Sequence, residues 1–185
     1  MNGKCKGSEF ERVISKKLSL WLSEGEDDDL FWRTQGSGGR HTQRKKKGKE
    51  TKNQEGDITS THPSTQMFSE KICIECKHHK DINLWSIITR TGGQSIYNWY
   101  STLIEISKDS GKIPFLIAKQ NNKPILLITN ALIERSNYFN DLKPISGFIF
   151  EQELSFIYIF EDLLKQDPET FRTFLEKSKH GILNS

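Results

Sequence analysis

KICIECK, residues 71–77, is an apolar run of strand length that ends in charge. Side chains of a strand alternate between its two faces, so Cys73, Glu75 and Lys77 share one face while Ile72, Ile74 and Cys76 share the other. A carboxylate and an ammonium are thereby held side by side near a strand end. The Glu-x-Lys spacing alone carries little, since ordinary composition produces it about once in a couple of hundred residues. The chain contains its own decoy in Glu50-Thr51-Lys52. Context separates the two: Glu50 and Lys52 lie in a polar, lysine-rich stretch and can stay in water. Glu75 and Lys77 follow a buried run, where charge needs a partner or a metal.

Working outward, DITST (57–61) reads as a preceding strand opened by Asp57 after Gly56, and LFWRT (30–34) as another. An antiparallel pairing of 57–61 with 71–77 would bring Asp57 to the end of the partner that carries Glu75 and Lys77. Residues 8–23 read as a first helix, with Phe10, Val13, Ile14, Leu18 and Trp21 at helical spacing and Ser8 and Glu11 placed as a capping box. A second helix is predicted over 94–109, where Ile96, Tyr100, Leu103 and Ile106 mark one face before Gly111 and Pro114. PFLIAK (114–119) and PILLIT (124–129), separated by QNNK, read as a hairpin. Beyond residue 130 the signals weaken to a short helix near 130–138, a strand around 148–150, and helices near 160–166 and 168–179, the last opened by Pro168. The order of helix, three strands, helix and two strands indicates an α/β fold with a mixed sheet flanked by helices. The expected layout is one domain over 1–185: a core over about 6–129, a loop over 35–56 and an α-rich C-terminal extension over 130–185.

Composition sets the outer limits. The 185 residues carry 27 Lys+Arg against 24 Asp+Glu, a net charge of +3, with 34% apolar and 10% aromatic residues, enough for a packed core. The longest apolar runs, PILLI and FIYIF, are far shorter than the ~20 residues of a membrane-spanning helix, and no signal region follows Met1. Three cysteines argue for a reducing compartment, and the expectation is a cytoplasmic protein without membrane contact. The near-neutral total hides local bias: residues 40–52 (RHTQRKKKGKETK) hold seven cations and one anion, whereas EGEDDD (24–29) is acidic.

Asp57, Glu75 and a backbone carbonyl, that of Cys76, make a hard oxygen site suited to Mg²⁺, with Mn²⁺ able to substitute. Lys77 would orient or activate the attacking water or meet the scissile phosphate, which implies phosphodiester hydrolysis. The first helix offers a third carboxylate. At 100° per residue Glu11 lies within about 20° of Leu18 and Leu22 and borders the apolar face, whereas Glu9 points away. Glu11 is therefore the candidate, alongside its reading as the return arm of the capping box. Zinc is not expected, because Cys73 and Cys76 face opposite ways on a strand.

Five ordered segments carry a family resemblance: KGSEFER (6–12), WRTQGSGGR (32–40), GDI (56–58), IECK (74–77) and SGKIPFLIAKQNNKPILLI (110–128). Over residues 6–129 the chain resembles the PD-(D/E)xK nuclease superfamily, most closely archaeal-type Holliday-junction resolvases and their phage relatives. The resemblance implies a restriction-endonuclease-like core with a central five-stranded mixed sheet. It places the helix-motif Glu on Glu11, the metal-binding Asp and Glu on Asp57 and Glu75, the catalytic Lys on Lys77 and an assisting loop Ser on Ser37. It also implies a homodimer that cuts two strands of a four-way DNA junction. The family's usual Pro before the motif Asp is Gly56 here, and the lysine-rich insertion after Gly39 is long.

Lying between the loop serine and Asp57, the cations Arg40, Arg44, Lys45, Lys46, Lys47 and Lys49 are candidates for phosphate contact, as is Arg33, which reads equally as a surface strand residue. Gln94 and Lys119 are secondary candidates for the site. Trp85, Tyr97, Trp99 and Tyr100 read as core or dimer contacts, with stacking on unpaired bases as the alternative. The rival functions are a restriction, repair or phage DNA-degrading nuclease acting on duplex DNA, a noncatalytic DNA-binding module, and an RNA-binding protein using the lysine run.

Overall fold

The computed structural model describes residues 3–34, 56–90, 95–135 and 138–178. Helix α1 runs Gly3–Leu22 and buries Phe10, Ile14, Leu18, Trp21 and Leu22, a stripe at helical spacing that leaves Val13 exposed. The helix starts five residues earlier than predicted. Ser8 therefore lies inside it, and the Ser8–Glu11 capping box does not form, which frees Glu11 from that role. At the exit Gly25, with φ of 94°, donates its N–H to Leu20 O.

Strands β1 (Phe31–Arg33) and β2 (Ile58–Ser60) form a two-stranded antiparallel ribbon in which Arg33 faces Ile58. The predicted antiparallel ladder between 57–61 and 71–77 is absent: β2 pairs with β1 instead. The cause is the connection. A 3₁₀ turn (Pro63–Thr65) and helix α2 (Gln66–Lys71) separate β2 from β3 (Ile72–His79), so the chain cannot double back as a hairpin. Phe31 and Ile58 anchor the ribbon in the core beneath α1.

The main sheet has five strands in the order β3-β4-β5-β7-β6, with β4 at Ile113–Gln120, β5 at Ile125–Asn130, β6 at Ser146–Phe150 and β7 at Glu153–Ile159. β3 and β4 run parallel and all other neighbours antiparallel, so the sheet is mixed. A parallel pair needs a crossover, and it contains α3 (Trp85–Thr89) and the longer α4 (Ile96–Ser110). The β4–β5 hairpin forms as predicted. The segment after 130 does more than extend a finished core. Besides α5 (Leu132–Arg135), α6 (Phe160–Leu163) and α7 (Pro168–Lys177), it supplies two of the five strands, and β7 lies between β5 and β6.

Apolar clusters cover both faces of this sheet. On one, α1, α2, α6 and α7 pack on Ile72, Ile74, Phe115, Ile117, Leu127 and Tyr158. Phe171 of α7 lies at its centre, in ring contact with Trp21, Phe68 and Phe115. On the other, Ile96, Tyr100, Leu103 and Ile104 of α4 pack on Cys73, Leu116, Ala118 and Ile128. Cys73 and Cys76 thus belong to opposite faces, as period-two alternation requires. No helix among the described residues is long and apolar enough to cross a membrane.

Candidate active site

The site grows from Gly56 and Asp57 at the outer edge of β3. Gly56 has φ of 90°, and a Cβ there would stand 2.5 Å from Ile74 O. Only glycine combines this left-handed backbone with so close an approach to the neighbouring strand. That approach lets Asp57 donate its N–H to Ile74 O at 2.6 Å and accept the Cys76 N–H on Oδ2 at 2.8 Å. Asp57 O also accepts the Thr34 N–H at 2.8 Å. A buried carboxylate is thereby strapped between the end of β1 and the edge of β3. The sequence departure at 56 has its physical reason here.

On β3, Glu75 and Lys77 lie on one face as predicted, and their side chains form an ion pair. Both are largely covered, with 23% of the Glu75 side chain exposed. Burial raises the Glu75 carboxyl, the nearby Asp57 carboxylate raises it further, and Lys77 opposes both; the result is a pKa of about 7. Burial pulls the Lys77 ammonium down, but Glu75 and Asp57 outweigh it, so the pKa of Lys77 lies above the usual lysine value. Glu11 projects from α1 toward the same charges, while Glu9 is exposed. Burial and then Asp57 raise the Glu11 carboxyl, against Arg33 and Lys77. Three acids from α1, the β2 edge and β3 therefore act on one another electrostatically.

Two chain cations answer this excess of negative charge. Arg33 donates Nε–H to Glu11 Oε2 at 3.0 Å, a pairing that sequence reasoning missed because it read Arg33 as a phosphate contact or a surface strand residue. Lys77 occupies Glu75 in the same way. Among the described residues no group of three or more His, Cys, Asp or Glu side chains is placed to hold a metal ion as it stands. Glu11 and Glu75 are turned to their cation partners, and Asp57 to a backbone N–H. The fit to a hard divalent cation is one of chemistry and charge: all donors are oxygens, and the Asp57 carboxylate raises the proton affinity of Glu11 and Glu75. Burial pushes the Cys76 thiol far up, which keeps it protonated and leaves its carbonyl as the candidate donor.

Lys119 pairs in register with His78 and donates Nζ–H to Lys123 O at 2.9 Å, so it turns to the β4–β5 turn and away from Glu75 and Lys77. Tyr100 is core, and Tyr97 and Trp99 pack against the same cluster. Trp85 is not core, because 70% of it is exposed. Ser37, Arg40, Arg44, Lys45, Lys46, Lys47, Lys49 and Gln94 lie outside the described residues. Thr34 was not singled out from sequence, and no local signal marks its amide as a partner of Asp57.

The model of a family described as "Phage putative PDDEXK endonuclease" matches residues 2–176. The chain belongs to this family. No curated protein and no solved structure was found to match it. The match spans nearly the whole chain, including β6, β7 and α7, in keeping with their place in the sheet and core. Membership in a PDDEXK family supports the superfamily resemblance carried by the five segments. It makes the protein a nuclease with DNA as its substrate, in a class of enzymes that use divalent metal ions.

Proposed function

We propose that this PDDEXK protein is a Mg²⁺-dependent endodeoxyribonuclease that hydrolyses phosphodiester bonds in branched DNA, four-way junctions above all. The carrying observation is the set of Glu75 and Lys77 on β3 with Asp57 strapped to that strand's edge, electrostatically coupled to Glu11. Asp57, Glu75 and the Cys76 carbonyl would hold the ion, with Glu11 as a further carboxylate, and Mn²⁺ would serve in place of Mg²⁺. When bound, the ion would polarise the phosphate and acidify a water.

The chain's own residues do the rest. Asp57 is fixed by two backbone donors and needs little reorganisation. Glu75, as the carboxylate, exchanges its ion pair with Lys77 for the ion. Lys77, released from Glu75, directs its ammonium to the attacking water or the scissile phosphate. Arg33, released from Glu11, gains a phosphate oxygen, and Ser37 with Arg40, Arg44, Lys45, Lys46, Lys47 and Lys49 engages the backbone. Junction choice and a homodimer follow from the resemblance to resolvases. Edge strand β6, with Ile149 exposed, offers a second copy an apolar surface.

Comparing cleavage of an end-labelled four-way junction with cleavage of its component duplexes tests this reading. Preferential, paired incisions at the junction are expected. Equal rates on both substrates would make the protein a duplex nuclease, and cleavage of neither would leave a noncatalytic DNA-binding module.

A further inference from the structure

β3 ends at His79, and after five intervening residues the chain enters α3, a short helix pinned on one side and bare on the other. Its pinned side is specific. Ser86 is buried, donates to Asn83 O at 2.7 Å and accepts the Tyr97 N–H, while Ile82 and Ile87 pack against the α4 cluster. Its bare side carries Leu84, Trp85 and Ile88, the last two each 70% exposed. Leaving an indole and a branched aliphatic chain in water on a fixed helix is unfavourable unless something covers them.

Cations flank this apolar step. Lys80 precedes it and Arg90 follows, the latter at the helix C-cap with φ of 52°, and both are exposed. Asp81 is the only anion between Lys77 and Arg90. Trp85 stands eight residues beyond Lys77, so the step continues directly from the strand that bears the Glu75–Lys77 pair. An aromatic platform edged by cations suits unpaired nucleotides, whose bases stack on the ring while their phosphates meet the charges. Its size agrees with that occupant. A tryptophan covers about 150–250 Å², matching a base or two, whereas a stable protein interface takes about 800 Å² from each partner.

We propose that Trp85, with Ile88 beside it, forms a stacking platform for unpaired bases and that Lys80 and Arg90 hold the adjoining phosphates. This selects DNA carrying unpaired nucleotides next to the bond to be cut. The inference rests on the nuclease reading and adds to it a means of telling DNA that exposes unpaired bases from fully paired DNA.

The test measures binding of the full chain, in EDTA, to a single strand, a bulged duplex and a fully paired duplex of the same sequence. Trp85→Ala is expected to weaken binding to the first two by about fivefold to a hundredfold and to leave the paired duplex unchanged. Trp85→Phe, which keeps a stacking ring, should retain most of the affinity, whereas Trp85→Leu should not. Asn140→Ala, at an exposed position far along the chain from α3, should change nothing. Unaltered binding by Trp85→Ala, an equal loss on paired duplex, or full rescue by leucine would overturn the platform. A change of sedimentation state in Trp85→Ala without a change in DNA preference would instead make α3 a contact with a second copy. Should Mg²⁺-dependent cutting persist in any of these cases, the platform alone fails; wild-type protein that neither binds nor cuts any of the three DNAs would remove the nuclease reading with it.

Discussion

Glu75 holds a proton at a pH where an exposed glutamate has lost it, because burial and Asp57 outweigh the ion pair with Lys77. Its folded pKa of about 7 stands above the ordinary 4.5, so the metal-free protein loses stability as pH rises between those values. Melting temperatures in EDTA should therefore fall for wild type relative to Glu75→Gln between pH 5 and pH 7.5. In the proposed metal site the same proton must leave before an ion can bind. Calorimetric titration with Mg²⁺ or Mn²⁺ should show affinity rising toward tenfold per pH unit below about 7 and levelling above it, with protons released to the buffer. A pH-independent affinity from 6 to 8 would contradict the assignment. Gly56→Ala combines a strained backbone with a clash at Ile74 O. It should cost about 2 kcal/mol or more in urea unfolding and remove cleavage, by dislodging Asp57. The shared face of Glu75 and Lys77, and the exposure of Glu9 against the partly covered Glu11, were legible in the sequence, because periodicity alone fixes which face each side chain takes. The Arg33–Glu11 pair and the positive φ at Gly56 were not, since each depends on how closely two distant segments approach.

Elements were legible where hydrophobic period and turn chemistry agree, as in α1, α4, β3 and the β4–β5 hairpin. Their partners were less so. The apolar runs in β2 and β3 suit a strand pair, but the helical turn of residues 63–71 lies between them and hands β2 to β1. FIYIF was visible as a strand-sized run, and nothing local told that it enters the sheet between β5 and β6. That placement makes β6, β7 and α7 part of the sheet and core. A chain truncated after residue 129 should accordingly lose β5's partner strand and the α7 aromatics and fail to give a cooperative thermal transition. Phe171→Ala, fully buried against Trp21 and Phe115, should cost about 3–5 kcal/mol in the whole chain. Ser95 caps α4 by accepting the Asn98 N–H, and Ser95→Ala should cost about 1 kcal/mol without altering the cleavage rate of the folded protein.

Over the whole molecule a net charge of +3 conceals a cluster of seven cations in residues 40–52, between Arg33 and Asp57 in sequence. DNA affinity should fall steeply with salt, and replacing Arg44, Lys45, Lys46 and Lys47 with alanine should reduce that slope by roughly 0.9 for each phosphate left without its cation. The fold class was legible because the order of elements restricts the sheet, and family membership agrees with it. The proposed function rests on separate stretches of chain that bring acids and an amine to one sheet edge. The most direct measurement is the Mg²⁺ dependence of strand cleavage by wild type and by Asp57→Ala, Glu75→Gln and Lys77→Ala, each shown to be folded and to bind DNA. Incision by wild type that requires the ion and disappears in all three variants is the expected result; metal-independent incision, or wild-type rates in either carboxylate variant, would contradict it.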